Sequence, residues 1–369
     1  MIKASMPGDG LTRARVERIV DAANTAPSAD NCQPWRFSWD GEALAIRHEA
    51  RRAKNVLDHL ERMSQVTLGG LVEALTIAAA AEGLAPRLDL TPGLPGTTWA
   101  TARFEPAAGP HELAGTLEPR CTDRRLYQGG SLDAPVFDAI RSDAARDPGC
   151  GVRFLGSCPS DLLDYLLRGD GYVWHHDGPY RDIMAWFRFS QREIDETRDG
   201  APWRSIGFDI PELPGLGLAR SRWVQRLIDK GGFSRLWRHR LATQLASSAG
   251  LFCVTAPSTS PLDFVRAGRL ALRTWLRLNR AGYGVQPFIV QSVFAHAFAE
   301  GNPAPGTLPE FIDLFRRGPS LLARAFGLDP GDPAIWLFRT GRSPAMPTKL
   351  RTRRLPVEKL LTWTAPPAG

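Results

Sequence analysis

The hydrophobic pattern changes period several times along the first hundred residues. A helical spacing begins near Thr12 and is carried by Val16, Ile19, Val20 and Ala23. Strict alternation follows over residues 35–39 and 44–46, with an Asp-Gly turn between them, and this predicts a β-hairpin. A long alanine-rich helix is predicted over residues 56–81, with Gly83 placed to end it. Two short strands, residues 87–90 and 98–104, are predicted to complete the segment.

A second unit begins near residue 117 and has a similar order of elements. Its pattern predicts a helix at 134–144, strands at 152–155 and 251–255, a helix at 262–281 and a strand at 335–339. Both long helices are amphipathic, end at glycine and lead into a strand, which suggests a degenerate internal duplication. We expect two halves, 11–105 and 117–361. An insertion at about 170–232, rich in tryptophan, proline and glycine, is long enough to be a lid.

Composition places few restrictions on the function. Of 369 residues, 43% are hydrophobic and 23% charged, which is ordinary for a globular protein. No apolar run reaches the roughly 20 residues of a membrane span, because residues 68–81 are too few and include Glu73. Residues 1–10 lack a secretory signal pattern. We therefore expect a cytoplasmic protein with no membrane partner.

The cysteines and histidines do not suggest a metal site. Five cysteines with no C-x-x-C pair argue against both a disulfide framework and zinc, so we expect reduced thiols. His175 and His176 are adjacent, so their side chains diverge on most backbones, and no third ligand stands at a fitting spacing. We expect no bound metal.

The most informative segment is the loop predicted between the first helix and the hairpin. It contains the hydroxyl of Ser28, the amides of Asn31 and Gln33, and two rigid prolines, Pro27 and Pro34. Amides donate and accept hydrogen bonds at once, so they suit the edge of a heterocyclic ring, and prolines restrict backbone motion. The loop predicts a ring-binding site.

Positive charge, +7 overall, is concentrated in two small clusters. Arg120 and Arg124 flank Thr122, and guanidiniums four residues apart with a hydroxyl between them can hold the oxygens of one phosphate. The second cluster, at residues 349–354, includes Arg353 and Arg354. Two compact clusters fit a phosphate-bearing ligand better than nucleic acid, which favours positive charges interleaved with aromatic residues along a face. We expect no nucleic-acid partner.

Three of these segments, with a glycine-rich one, resemble motifs of the nitroreductase-like flavoenzymes. The run from Ala26 to Trp35, A-P-S-x-x-N-x-Q-P-W, resembles the loop that binds the isoalloxazine ring. The segment R-C-T-D-R resembles the phosphate motif R-R-S-x-R, with Cys121 at the second arginine and Thr122 at the serine. The tail resembles a basic-Leu-Pro segment, in which Arg354 is the best match and Arg353 the next. Gly282 and Gly284 resemble the segment that lays backbone N–H groups near the flavin ring.

The resemblance implies a fold and a cofactor. It implies FMN and an α+β, nitroreductase-like sandwich. The residues implied for cofactor binding are Pro27, Ser28, Asn31, Gln33, Arg120, Cys121, Thr122, Arg124, Gly282, Gly284, Arg353 and Arg354. Because the ring loop lies in one half and the phosphate motif in the other, the chain is similar to the fused, lid-bearing Acg-type branch. That layout predicts a monomeric pseudo-dimer.

The resemblance also implies an activity, with alternatives left open. The leading expectation is an FMN-dependent oxidoreductase that transfers hydride through flavin N5 to or from a small organic substrate, with NADH or NADPH as a possible donor. No catalytic side chain is assigned. One alternative is a non-catalytic protein that sequesters FMN under a lid. Another is a flavin-dependent biosynthetic dehydrogenase.

Overall fold

The computed structural model describes residues 11–92, 96–107, 109–206 and 215–364. Its strands are β1 (Trp35–Trp39), β2 (Ala43–His48), β3 (Leu84–Leu90), β4 (Thr98–Pro106), β5 (Gly151–Leu155), β6 (Phe187–Arg188), β7 (Ala201–Pro202), β8 (Gly250–Thr255), β9 (Tyr283–Pro287), β10 (Ala334–Arg342) and β11 (Leu361–Trp363). Its α-helices are α1 (Arg13–Ala23), α2 (Ala50–Ala53), α3 (Arg62–Ala81), α4 (Ala134–Ala144), α5 (Ser160–Asp170), α6 (Tyr172–His175), α7 (Asp177–Trp186), α8 (Gln191–Thr197), α9 (Arg222–Lys230), α10 (Phe233–Ala246), α11 (Pro261–Arg280), α12 (Ala295–Ala299), α13 (Pro309–Phe326) and α14 (Val357–Leu360).

Two mixed layers of helix and sheet share one strand order. The first sheet runs β11-β1-β2-β4-β3 and the second β5-β8-β10-β9. Without β11, each sheet has four antiparallel strands in the order first, second, fourth, third. In each half the long helix connects the second strand to the third. The mixture of helix and sheet agrees with the expected α+β class.

The two long helices cross at a pair of glycines. A Cβ on Gly69 would overlap the carbonyl oxygen of Val265, and a Cβ on Gly268 would overlap that of Val66. The contact is therefore reciprocal between α3 and α11. Only glycine allows two helix backbones to approach so closely, so these residues set the distance between the two halves.

Helix α3 is the core of the first half. By length and composition it could cross a membrane, but 89% of its apolar window is buried inside the protein. Its one acidic residue, Glu73, is buried and accepts hydrogen bonds from Arg269 at 2.8 Å and Arg273 at 3.0 Å of α11. The charge that argued against a membrane span therefore joins the two halves.

The predicted helix over residues 56–81 is wrong at its beginning. Residues Val56–Asp58 form a separate 3-10 turn, and α3 begins at Arg62. The Asp58 carboxylate accepts hydrogen bonds from the N–H groups of Met63 at 2.7 Å and Ser64 at 2.9 Å, so it satisfies donors at the start of the helix. Glu61 lies between the 3-10 turn and α3 and has a φ of +57°, which prevents one continuous helix through both.

The halves differ most in one connection. Three residues, 40–42, join β1 to β2, whereas residues 156–249 separate β5 from β8 and contain α5 to α10. The insertion expected at about 170–232 lies within this connection, which we call the inserted segment. Through Ile183 and Trp237 it lines a cavity together with Met63 of α3 and Trp275 of α11.

The tail returns to the first half. After β10 the chain reaches α14 and then β11, which pairs in parallel with β1 through Phe37 and Leu361. The carbonyl of Leu355 accepts a hydrogen bond from the Asn24 amide at 2.9 Å. The basic residues before Leu355 are thereby held beside the loop that follows α1.

Candidate functional site

Three cavities share walls formed by the loop after α1 and the segment before α4, and the tail lines one of the three, the arginine cavity. The main cavity has a volume of about 240 Å³, the arginine cavity about 70 Å³ and the aromatic cavity about 360 Å³. Five residues line both the main and the arginine cavities: Pro27, Ser28, Asp30, Thr122 and Arg124. Segments about 90 residues apart therefore form one continuous wall.

The loop after α1 has an unusual backbone. Asp30, Asn31 and Gln33 all adopt positive φ angles, 48°, 55° and 48°. The Ser28 hydroxyl oxygen accepts a hydrogen bond from the Gln33 N–H at 3.0 Å, which helps to hold this shape. Left-handed conformations outside glycine cost of order 1 kcal/mol or more each and concentrate at functional sites. The strained backbone of this loop is therefore typical of a functional site and not of a simple turn.

The two amides of the loop have different surroundings. Gln33 is fully buried, donates to the carbonyl of Arg198 at 3.2 Å and accepts from the N–H of Leu355 at 2.8 Å. Its amide therefore ties the loop to the inserted segment and the tail. Asn31 lines the arginine cavity and donates to the carbonyls of Gly200 and Arg353, at 3.0 and 2.9 Å. Its Oδ1 is buried with no hydrogen-bond partner among the described residues.

Two guanidinium groups converge on the arginine cavity. Arg120 donates to the carbonyl of Thr25 at 2.8 Å, and Arg354 donates to the carbonyls of Thr25 and Ala26 at 3.2 and 3.1 Å. Arg120 also lies 4.7 Å from the ring centre of Trp275. In the described part of the chain neither guanidinium has a carboxylate within salt-bridge distance, and the Arg120 Nε has no partner.

Burial acts on both guanidinium groups, and the charge of Arg120 acts in addition on Arg354. Burial lowers the pKa of Arg120 to about 10. Burial, and secondly the charge of Arg120, lowers the pKa of Arg354 to about 9. Two neighbouring buried cations are unfavourable unless an anion neutralises them. The pair is therefore suited to an anionic group such as phosphate, which guanidiniums bind through several N–H donors.

Between the two tail arginines, the geometry distinguishes their roles. Arg354 lines the arginine cavity, while the exposed side chain of Arg353 lies 3.4 Å from Asp195. The backbone carbonyl of Arg353, not its side chain, contacts the loop through Asn31. Of the two tail arginines, only Arg354 is placed to join Arg120 in holding an anion in this cavity.

The rest of the segment before α4 completes the wall. Thr122 lines the main and arginine cavities, and Cys121 lines the arginine cavity. Burial raises the pKa of the Cys121 thiol, so the group stays protonated near neutral pH. Arg124 lines all three cavities and donates to the carbonyl of Ser205 at 3.3 Å.

The two glycines of the G-Y-G segment act on the site indirectly. Gly282 has φ +81° and follows the C-terminus of α11. A Cβ on Gly284 would lie 2.8 Å from the ring of Tyr127 and 2.9 Å from the carboxylate of Asp123. Gly284 therefore allows the arginine segment to dock on β9, where the Asp123 N–H donates to the carbonyl of Val285 at 2.9 Å. The cavity wall itself is formed by the residues that follow, 286–291.

Sequence reasoning missed two indole groups in the main cavity. Trp275 of α11 and Trp336 of β10 line it, and both Nε1–H donors are buried without an acceptor among the described residues. Buried donors are normally satisfied, so these two stand out as unmet hydrogen-bond donors of residues in the cavity wall. Only the pairing of helix and strand across the sheet reveals them, because in the sequence they are ordinary core tryptophans.

The inserted segment walls the main cavity on one side and encloses the aromatic cavity. Asp30, Arg124 and Asp170 line both cavities. Burial raises the pKa of Asp30 and of Asp170 to about 6, and in each case the charge of Arg124 offsets part of the rise. Asp170 also accepts a hydrogen bond from the indole of Trp237. The wall shared by the main and aromatic cavities, which we call the partition, therefore contains a cluster of two carboxyl groups and one guanidinium.

The histidine pair has structural partners. The Nδ1 of His176 lies 2.8 Å from the carbonyl of Tyr172, and its Nε2 accepts from the N–H of Leu308 at 3.0 Å. His175 contacts the carbonyl of Gly171 at 2.7 Å. Over the described ranges, no group of three or more His, Cys, Asp or Glu side chains is arranged to hold a metal ion.

Comparison by sequence gives one partial relative. No family model matches the chain. An uncharacterized protein of Mycobacterium tuberculosis (strain CDC 1551 / Oshkosh) is 24% identical over 290 residues. The match covers 76% of this chain but only 39% of that protein. The chain therefore spans well under half the length of this relative.

Comparison by structure gives nitroreductases. A nitroreductase with bound FMN from Desulfitobacterium hafniense DCB-2 has a TM-score of 0.38 at 12% identity, covering 69% of this chain and 98% of that one. The FMN-dependent nitroreductase NfnB from Mycobacterium smegmatis, in complex with NADPH, has a TM-score of 0.36 at 14% identity, and the match covers 67% of this chain and 97% of that one. A putative nitroreductase from Anabaena variabilis ATCC 29413 has a TM-score of 0.40 at 12% identity, and the match covers 90% of this chain and 88% of that one. At such identities, function has to be argued from this chain's own residues.

Proposed function

We propose that this chain is an FMN-dependent oxidoreductase of the nitroreductase superfamily that binds one FMN. The carrying observation is the pair of adjacent guanidiniums, Arg120 and Arg354, which lack a carboxylate partner and face the arginine cavity. The FMN phosphate would neutralise both, with the Thr122 hydroxyl as a further donor. The continuous wall through Pro27 and Ser28 would then lead from the phosphate to the ring.

The main cavity suits the flavin ring. The unpartnered indole donors of Trp275 and Trp336 would meet ring acceptors, and Arg124 would place a positive charge at the ring edge. When bound, FMN supplies reversible hydride transfer at N5. The residues of this chain would position the ring, and the inserted segment, through Asp170 and Trp237, would exclude water from one side of the cavity. A nicotinamide donor and a small organic substrate belong to the same proposal.

The single-chain organisation is part of this proposal. The shared strand order of the two sheets and the reciprocal contact at Gly69 and Gly268 support a duplicated, fused pseudo-dimer. The left-handed loop lies in the first half and the arginine segment in the second, so one site per chain is expected. A cytoplasmic, monomeric protein fits this arrangement.

One observation favours a second function, FMN sequestration. The inserted segment lines the main cavity through Asp170, Ile183 and Trp237, as a lid over a stored cofactor would. A storage protein would bind FMN but would not accept electrons from a nicotinamide. The same preparation can separate the two functions.

The test uses the purified chain. Its visible spectrum should show a flavin, the released cofactor should be FMN, and the ratio should be near one per chain. Anaerobic NADPH or NADH should bleach the flavin bands. A colourless protein that does not bind added FMN would refute the proposal, whereas bound FMN that neither nicotinamide reduces would favour sequestration.

A further inference from the structure

Helix α9 presents its apolar side outward. Gln225, a polar residue, is 4% exposed and is the buried residue of this helix. Arg222 is directed inward, where it donates to Gln225 and to Asp177, each at 2.5 Å, and to the carbonyl of Trp174 at 2.8 Å. A helix of a globular protein normally buries its apolar face. Here the polar side attaches the helix to the protein.

The outward side forms an apolar ridge with neighbouring residues. The ridge consists of Leu218 (65% exposed), Trp223 (72%), Leu227 (55%), Ile228 (44%) and Leu236 (54%). Most of the large exposed hydrophobic residues of the described chain lie in this short stretch. Such a concentration of exposed apolar groups marks an interaction surface.

Basic residues border the ridge. Four of them are ion-paired with carboxylates from other segments, Arg220 with Glu193, Arg222 and Arg226 with Asp177, and Arg238 with Asp164, whereas Lys230 and Arg235 have no ion pair among the described residues. Residues 215–246 contain one acidic residue, Asp229, and seven basic residues: Arg220, Arg222, Arg226, Lys230, Arg235, Arg238 and Arg240. Lys230 and Arg235 are exposed on either side of the turn between α9 and α10. Tryptophan and leucine beside lysine and arginine is the composition of helices that lie in the interface of anionic membranes.

The aromatic cavity lies directly behind the ridge. Gln225 and Ile228 of α9 and Phe233 of α10 line this cavity. Ile228 therefore belongs both to the ridge and to the lining of the aromatic cavity, so the ridge borders this apolar chamber.

We propose that the ridge and its basic border form a docking surface for an anionic lipid membrane. Trp223 and Leu227 insert at the level of the headgroups, while Lys230 and Arg235 contact anionic headgroups. This revises the expectation of no membrane partner, which rested on the absence of a spanning segment. The inference does not depend on the proposed cofactor, because none of these side chains contacts the main or the arginine cavity.

The test is co-sedimentation of the full chain with vesicles. The protein should pellet with vesicles of phosphatidylglycerol mixed with phosphatidylcholine, less with phosphatidylcholine alone, and less as salt is added. The double variant Trp223→Ser, Leu227→Ser should bind at least about tenfold less, from the lost apolar contact. The double variant Lys230→Glu, Arg235→Glu should lose about as much.

Matched controls keep the result interpretable. Leu262→Ser removes an exposed leucine elsewhere on the surface, and the double variant Lys54→Glu, Lys359→Glu makes the same charge change away from the ridge. Both controls should bind like the unmodified chain, and all variants should keep its thermal midpoint and FMN content. Failure to pellet with anionic vesicles would overturn the proposal. So would self-association that requires Trp223 and occurs without lipid, because the ridge would then be a contact between copies of this chain.

Discussion

The two halves of the molecule have the same framework of strands and long helix but differ in the loops and segments attached to it. Each has four antiparallel strands in one order, with a long helix between the second and third. The first half has the left-handed loop of residues 28–33, and the second has the arginine segment of residues 120–124. The second also carries the 156–249 insertion, where the first half has a three-residue turn.

This difference shows how a symmetric framework can support one asymmetric site. The crossing of α3 and α11 fixes the halves at a short distance, and the crossing is nearly the same viewed from either half. The site residues lie outside the crossing, where symmetry imposes no constraint. Framework and site should therefore respond to substitution in different ways.

The largest effect is expected at the crossing. Gly268→Ala would place a Cβ onto the carbonyl oxygen of Val66, and both positions are helix backbone that cannot move independently. We expect a loss of about 3 kcal/mol or more in the free energy of unfolding, measured by urea titration. Gly156→Ala, whose Cβ would meet nothing within 4 Å, is the matched control. Equal stability of the two variants would contradict the tight crossing.

The next effect separates binding from stability. Arg354→Met removes a guanidinium enclosed beside Arg120, so the FMN dissociation constant should rise about 100-fold, from the loss of charge-assisted hydrogen bonds. The unfolding free energy of the cofactor-free protein should stay the same or increase, because an unpaired cation is removed. Titration with FMN and urea unfolding measure the two quantities.

Its control is the neighbouring residue. Arg353→Met alters an exposed side chain that faces Asp195, so affinity and stability should both change little. If both variants lost affinity equally, the assignment of Arg354 to the anion site would be wrong.

A smaller effect concerns the partition between the main and aromatic cavities. The folded-state pKa of Asp170 is raised to about 6 from 3.8 by burial, so the folded protein binds the extra proton between these values. This carboxylate therefore destabilises the fold above pH 6, and the penalty disappears as the pH falls toward 4.

Asp170→Asn keeps an acceptor for the Trp237 indole and removes the titration. At neutral pH it should be more stable than the unmodified chain by about 1 kcal/mol, and the difference should vanish near pH 4. Thermal midpoints across this range test it. Asp164→Asn, which makes the same change at an exposed position of α5, is the matched control.

The smallest effect is expected at the residue that departs from the family motif. Cys121 lines the arginine cavity as a protonated thiol, whereas Arg120 and Arg354 carry the charge. Cys121→Ser should change FMN affinity by less than about threefold, within the ±0.5 kcal/mol of a mild substitution. A large loss by fluorescence titration would show that the thiol contacts the ligand.

Local pattern was enough to predict most of the elements. The spacing of apolar residues in α1, α4 and α11 and the alternation in β1 and β2 correspond to the observed elements within a few residues. The beginning of α3 was mispredicted because the 3-10 turn at Asp58 depends on a side-chain cap, which leaves no periodic signal.

The candidate site was less predictable than the fold. Motif spacing identified Pro27, Ser28, Arg120 and Arg354, which the fold brings to shared cavity walls. It could not show that the Gln33 side chain accepts a hydrogen bond from the tail, because the donor is the N–H of Leu355, more than 300 residues away. The indoles of Trp275 and Trp336 were missed for a similar reason: their unpaired donors are apparent only once every neighbour is in place.

The parallel pairing of β11 with β1 has a consequence for biosynthesis. Translation completes the first half long before the tail emerges, so Trp35–Trp39 must wait as an unpaired sheet edge, which is prone to aggregation. The loop at Asn31 also lacks its contact with Arg353 during that interval. The arginine cavity therefore gains its full lining only after the tail has been translated. A nascent chain that stops before residue 354 would have the cavity wall at Pro27 and Ser28 without the Arg354 guanidinium.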